Sequence, residues 1–129
     1  MMTADQLIAL AAAFGKGVGC ARCSALASRG WESLPGGYPR SDLRCAGSLR
    51  DPGDDDPTLA EYHPAGTNGW SSDAPIALGW YPYNRCDVWT CVGCGKPFLR
   101  YTEFGGYYVD ERIRELQARL VEAPPGDGR

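Results

Sequence analysis

Two cysteine pairs with the same spacing, Cys20-Ala21-Arg22-Cys23 and Cys91-Val92-Gly93-Cys94, are the residues best suited to chemistry in this 129-residue chain. Thiolates three positions apart on a turn can present both sulfurs to one ion. A glycine in that turn removes the Cβ that would crowd it, and nearby backbone N–H groups can point at the sulfurs. In a reducing compartment such pairs are metal ligands more often than disulfides. Cys45, Cys86 and the single histidine, His63, are spare candidate ligands. Six reduced cysteines packed in a core, with no metal, is the competing reading, because free Cys is among the most buried residue types. Disulfides are a third.

The run Cys91-Val92-Gly93-Cys94-Gly95 resembles the zinc knuckle of zinc-ribbon and treble-clef domains, and equally the iron knuckle of rubredoxins. The resemblance extends over residues 91–121, where a knuckle, a hairpin and a helix would follow in treble-clef order. It implies a tetrahedral ion with four ligands, of which a knuckle supplies two. In the treble-clef family the helix N-terminus supplies the other two. Here that first turn reads Asp110-Glu111-Arg112-Ile113, with neither Cys nor His. Cys20 and Cys23 are then the natural second pair, so the implied zinc ligands are Cys20, Cys23, Cys91 and Cys94. Sets that include Cys45, Cys86 or His63 remain open at this point, as does iron in place of zinc.

Four thiolates close the coordination shell and leave no bound water to activate, so the implied zinc is structural. No other enzyme signature is visible. His63 is followed by Pro64 and Ala65, and Thr90 precedes Cys91, so the zinc-deaminase pattern is absent. One histidine without a local signature is a weak base for an activated cysteine nucleophile. A turn histidine that hydrogen-bonds its own loop is the plainer reading. The chain carries no P-loop spacing and no dinucleotide fingerprint. The expectation is a protein that is not an enzyme.

The elements that must position these residues are short. Seventeen Gly and ten Pro, about a fifth of the chain, argue against a helical bundle. Thr3 can cap an N-terminal helix running to Phe14, with Gln6 completing a capping box and Gly15 stopping it. Leu7, Leu10, Ala11 and Phe14 would share its buried face. The middle, residues 24–84, is irregular and turn-rich, with Ile76 to Tyr81 a candidate buried strand. Val88–Thr90 and Phe98–Thr102 read as strands flanking the knuckle. In the second, Phe98, Arg100 and Thr102 share one face and Leu99 and Tyr101 the other. Gly105-Gly106 turns the chain into Tyr107-Tyr108-Val109. Asp110 would then cap a C-terminal helix to about Val121, with Ile113, Leu116 and Leu120 at helical spacing. The expected fold is α+β: a small antiparallel sheet with a zinc-knuckle hairpin, N-terminal and C-terminal helices, and a loop-rich middle. Residues 1–122 form one zinc-stapled domain and 123–129 a flexible tail.

Charge bounds the partner. Thirteen basic against sixteen acidic residues give a net charge of −3. Four thiolates around a divalent ion add about −2. Sequence-independent nucleic-acid binding needs a positive footprint, so it is disfavoured. A nucleic-acid-associated zinc ribbon is the alternative function. Its support is Arg85, Arg100, Arg112, Arg114 and Arg119, interleaved with Asp87, Glu103, Asp110, Glu111 and Glu115. A basic protein partner is electrostatically easier, and Asp51, Asp54, Asp55, Asp56 and Trp70 are the contact candidates. The aspartates do not match a calcium-binding EF loop.

The Arg-over-Lys bias with abundant Ala, Gly and Pro suggests a GC-rich bacterial coding sequence. Met1–Gln6 lacks the basic start of a signal peptide, and Leu7–Phe14 is too short to span a bilayer, so a cytoplasmic setting with no membrane is expected. In bulk properties the chain resembles small acidic bacterial immunity proteins, which block a toxin made beside them. That resemblance implies a non-catalytic protein-binding module.

Overall fold

The computed structural model describes residues 1–15 and 17–124. In chain order the elements are α1 (Ala4–Phe14), β1 (Glu32–Ser33), β2 (Leu43–Ser48), β3 (Ile76–Ala77), β4 (Asp87–Cys91), β5 (Pro97–Phe104), β6 (Val109–Glu115) and β7 (Val121–Glu122). Five strands form an antiparallel sheet in the order β1-β6-β5-β4-β2, and β3 pairs in parallel with β7. The fold is α+β.

Helix α1 forms where its caps and stripe require. The Thr3 hydroxyl accepts from the Gln6 amide at 3.1 Å and the Gln6 side chain accepts from the Thr3 amide at 2.9 Å. Gly15 ends the helix at φ +79°, a conformation that favours glycine. Leu7 and Ala11 are buried, and Leu10 packs at their edge.

The sheet has two unlike faces, set by the alternation of β5. Leu99 and Tyr101 point into a cluster with Leu7, Trp31, Ile76, Tyr83 and Val88. Phe98 points the other way, into a smaller cluster with Cys23, Leu26, Leu43, Cys91 and Ile113. The strand parity expected for residues 98–102 is therefore observed.

The C-terminal helix is a correction. Residues 109–115 form β6, a short 3₁₀ turn covers Ala118–Leu120, and β7 follows. Ile113 and Leu116, which a helix would set on one face, lie in opposite clusters. Pairing decides the matter: seven residues of β5, Phe98 to Phe104, match Glu115 to Val109 in register, and tertiary pairing overrides a weak helical period. The strand also aims Arg114, fully buried, at Arg29 O (2.9 Å) and Ala74 O (2.8 Å). With the helix gone, the treble-clef order of residues 91–121 is not formed.

The expected strand Ile76–Tyr81 contracts to β3. Gly79, at φ +87°, turns the chain there, and Trp80 N–H closes on Ala77 O at 3.1 Å. The middle is loop-rich, with no helix or strand between Leu49 and Pro75. Side-chain donors hold that loop in place of a ladder. Asn84 donates to Thr58 O at 2.8 Å and Arg85 to Pro57 O at 2.9 Å. Of the expected tail, Ala123 is exposed and Pro124 buried, and residues 125–129 lie outside the described residues.

Candidate metal centre

Two loops that lie far apart in the chain meet on the smaller face of the sheet. Residues 17–23 leave α1, and the Cys23 carbonyl accepts from the Leu26 amide at 2.9 Å, starting a 3₁₀ turn over Ser24–Leu26. Cys91 ends β4, and its amide donates to Lys96 O at 2.9 Å across the hairpin. Gly95 N–H returns to Cys91 O at 2.8 Å with φ +82°. This is the tight turn that the knuckle resemblance implied, set at the tip of the β4–β5 hairpin.

The four sulfurs of Cys20, Cys23, Cys91 and Cys94 all lie within 4.8 Å of one another. Cys20 Sγ is 3.6 Å from Cys91 Sγ, and Cys23 Sγ is 3.7 Å from Cys94 Sγ. A tetrahedral ion with bonds of about 2.3 Å requires sulfurs about 3.8 Å apart. The cluster is thus consistent with a zinc-knuckle-like site, and each close contact joins residues 71 positions apart. Backbone amides support the sulfurs: Gly93 N–H points at Cys91 Sγ and Cys20 N–H at Cys23 Sγ, each at 3.4 Å.

Glycine permits the approach. A Cβ on Gly93 would sit 3.0 Å from Cys20 Sγ and 2.9 Å from Arg22 Cδ. One on Gly19, already at φ +93°, would meet Cys23 Sγ at 2.8 Å. The thiols differ in their surroundings. The backbone amide of Arg22 holds the Cys20 thiol down at about 7, whereas burial pushes Cys23 up to about 12 and raises Cys91. A divalent ion would override these differences, because a coordinating thiol is deprotonated outright.

The spare candidates are elsewhere. Cys86 is fully buried in the larger cluster and its thiol donates to Pro82 O at 3.3 Å. Cys45 is exposed on β2. His63 bonds within its own loop, to Thr67 Oγ1 at 2.7 Å and Glu61 Oε1 at 2.8 Å. Among the described residues, no cluster of potential ligands other than the four cysteines is found.

Residues that sequence reasoning passed over complete the site. Lys96 is buried, donates to Glu115 at 3.0 Å and to Val18 O at 3.3 Å, and so ties the first knuckle loop to β6. Tyr38 donates to Arg22 O at 2.9 Å, and Arg22 pairs with Asp42 at 3.2 Å. Lys96 had one signal, its position directly after Cys94-Gly95. Tyr38 had none.

The five partner-contact candidates fall at two places. Asp51, Asp54, Asp55 and Asp56 are all exposed, and Asp51 and Asp54 border an open groove of ≈ 750 Å³ with Arg50 and Arg85. Two of these carboxylates also build the loop: Asp51 accepts from Gly53 N–H at 2.9 Å and Asp54 from Asp56 N–H at 3.1 Å. Trp70, 61% exposed, borders a different cavity, stacked under the Arg112 guanidinium at 4.4 Å.

Of the aromatic series, Tyr83 and Tyr101 are core, while Phe104, Tyr107 and Tyr108 stand exposed around the β5–β6 turn. Among the described residues, no helix is long and apolar enough to cross a membrane. Compared with protein-family models, curated proteins and solved structures, the chain matches none.

Proposed function

We propose that this chain is a non-catalytic protein-binding module, stapled by one structural zinc on Cys20, Cys23, Cys91 and Cys94. The observation that carries the metal half is the four-sulfur cluster, with its two cross-loop contacts of 3.6 and 3.7 Å. Four thiolate ligands, with no fifth candidate nearby among the described residues, suit a closed structural shell better than an open catalytic one. A reducing, cytoplasmic compartment would keep all four thiols available.

The binding half rests on charge and exposure. The exposed aspartates of residues 51–56 and a net charge of −3 favour a basic protein partner. An immunity protein that occupies a cognate toxin has this character. Of the five arginines that would support a nucleic-acid reading, Arg119 is exposed and Arg85 donates to Pro57 O, while the other three are engaged within the fold. Arg100 lies over Trp89 and pairs with Glu111, Arg112 pairs with Asp110, and Arg114 is buried.

The test is metal content per chain on protein purified without added metal, beside Cys91→Ser. The expected result is one zinc per chain, lost in the variant together with thermal stability. A well-folded protein without metal overturns the ligand assignment, and iron with a thiolate colour replaces zinc by iron. For the binding half, association with the partner should slow markedly from low to high salt, and a flat response counts against charge steering.

A further inference from the structure

On the larger face of the sheet, near the β5–β6 turn, lies a cavity of ≈ 210 Å³ that the metal site does not use. Its lining combines aromatic rings with two carboxylates and one cation, Arg112. Trp31 is buried and forms the floor, with the Tyr101 ring edge-on to it at 4.7 Å. Tyr81 stands edge-on to Tyr101 at 6.0 Å, and Trp70 forms the exposed rim. Glu103 accepts the Tyr81 hydroxyl at 2.5 Å, and Glu61 contacts His63 at 2.8 Å. Among the described residues neither carboxylate forms an ion pair with Arg or Lys.

The geometry points to this cavity as the receptor for one arginine side chain of a protein partner. Flat aromatic walls stack a guanidinium, and carboxylates take its N–H donors in pairs. The chain's own arginines show the stacking these rings support, Arg112 at 4.4 Å from the Trp70 centroid with its Nε on Asp110 at 3.1 Å and Arg85 at 5.7 Å from the Tyr81 centroid, so an incoming guanidinium would use the ring surface they leave uncovered. With the Arg112 charge paired to Asp110, Glu61 and Glu103 are the lining carboxylates left without an Arg or Lys partner among the described residues. Exposed Tyr107 and Tyr108 stand at the same end of the sheet, as the aromatic surround of a central charged contact would. A lysine would find the same charge but not the same stacking. This assignment rests on the reading of the protein as a binder of a basic partner, and gives that partner a specific side chain.

The zinc-loaded protein is titrated with an alternating Gly-Arg peptide and an equally charged Gly-Lys peptide, following affinity and the Trp70 indole resonance. Glu61→Gln with Glu103→Gln removes the carboxylate charges and keeps side-chain shape. Glu32→Gln with Asp73→Asn removes the same charge elsewhere on the exposed surface and serves as the control. The expected result is tighter binding of the Arg peptide, a shifted Trp70 resonance, and a loss of about tenfold or more in the cavity variant alone. Equal binding of both peptides that the cavity variant abolishes overturns the preference for guanidinium. Binding that survives the cavity variant overturns the cavity and leaves the basic-partner reading standing. Failure of both peptides to bind overturns the two together.

Discussion

The two faces of one sheet are held by different physics. On the larger face, twelve buried residues, from Leu7 of α1 to Leu116 beyond β6, exclude water chiefly by area, with the buried Arg114 hydrogen-bonded among them. On the smaller face the buried cluster has six members, and two of those are cysteines of the four-sulfur cluster. Among the described residues, the loop that carries Cys20 and Cys23 has no regular element beyond a single 3₁₀ turn to bury. A surface this small cannot repay the entropy of ordering such a loop by apolar burial, and in the proposed reading cross-linking by an ion would take that part. Adjacent residues of β5 belong to the two regimes: Phe98 faces the thiols and Leu99 faces the helix.

Metal removal is the largest lever on this difference. A structural zinc contributes on the order of 10 kcal/mol of binding free energy that is also folding free energy. Chelation, or Cys91→Ser, is expected to release amide protection at residues 17–28 and 91–96 first, with α1 and β5 following only at higher temperature. Hydrogen exchange resolves the order, and simultaneous loss on both faces would remove the distinction. The next effect separates the neighbours on β5. Leu99→Ala and Phe98→Ala should cost similar stability, roughly 2–5 kcal/mol each by cavity formation. Only Phe98→Ala should also weaken metal retention against a competing chelator. Equal retention in both variants would mean that the smaller cluster does not brace the site.

Legibility in the sequence followed the range of the interactions. The first helix was readable because its signals are local: Thr3, Gln6 and Gly15 sit within one helix length. The knuckle was readable because Cys91, Cys94 and Gly95 define one turn. The partnership of that turn with Cys20 and Cys23 came from ligand counting, and the 71-position contacts agree with it. Residues 109–121 misled because Ile113, Leu116 and Leu120 satisfy a helical period. What decides their state is the long free edge of β5, which no local pattern records. Arg114 looked like a surface charge for the same reason. Its acceptors, Arg29, Ser72, Ala74 and Tyr83, come from segments that only the fold assembles.

Alkaline pH probes both faces through their tyrosines. Burial pushes Tyr38, beside the knuckle, and Tyr81, on the helix face, up to about 12 from an ordinary 10.0. Burial raises Tyr83 and Tyr101 as well. The folded chain therefore keeps these protons at pH values where the unfolded chain has lost them. Their contribution is complete below pH 10 and fades as pH rises through about 12. Tyrosinate absorbance should rise together with unfolding in that window. Titration of these phenols near 10 in a folded protein would contradict their burial.

The smallest effects belong to the two cysteines left out of the cluster, and they test whether the division between the faces is chemical or only positional. Cys86 is fully buried on the helix face with its thiol donating to Pro82 O at 3.3 Å, so it behaves as a small core residue. Cys86→Ala should cost on the order of 1 kcal/mol and leave metal content unchanged. Cys45 is exposed on β2, and Cys45→Ser should change neither quantity measurably. Metal lost in either variant would show that thiols outside the four-sulfur cluster take part in coordination. In that case the helix face would share in the staple, and the contrast between a face held by area and a face held by an ion would fail.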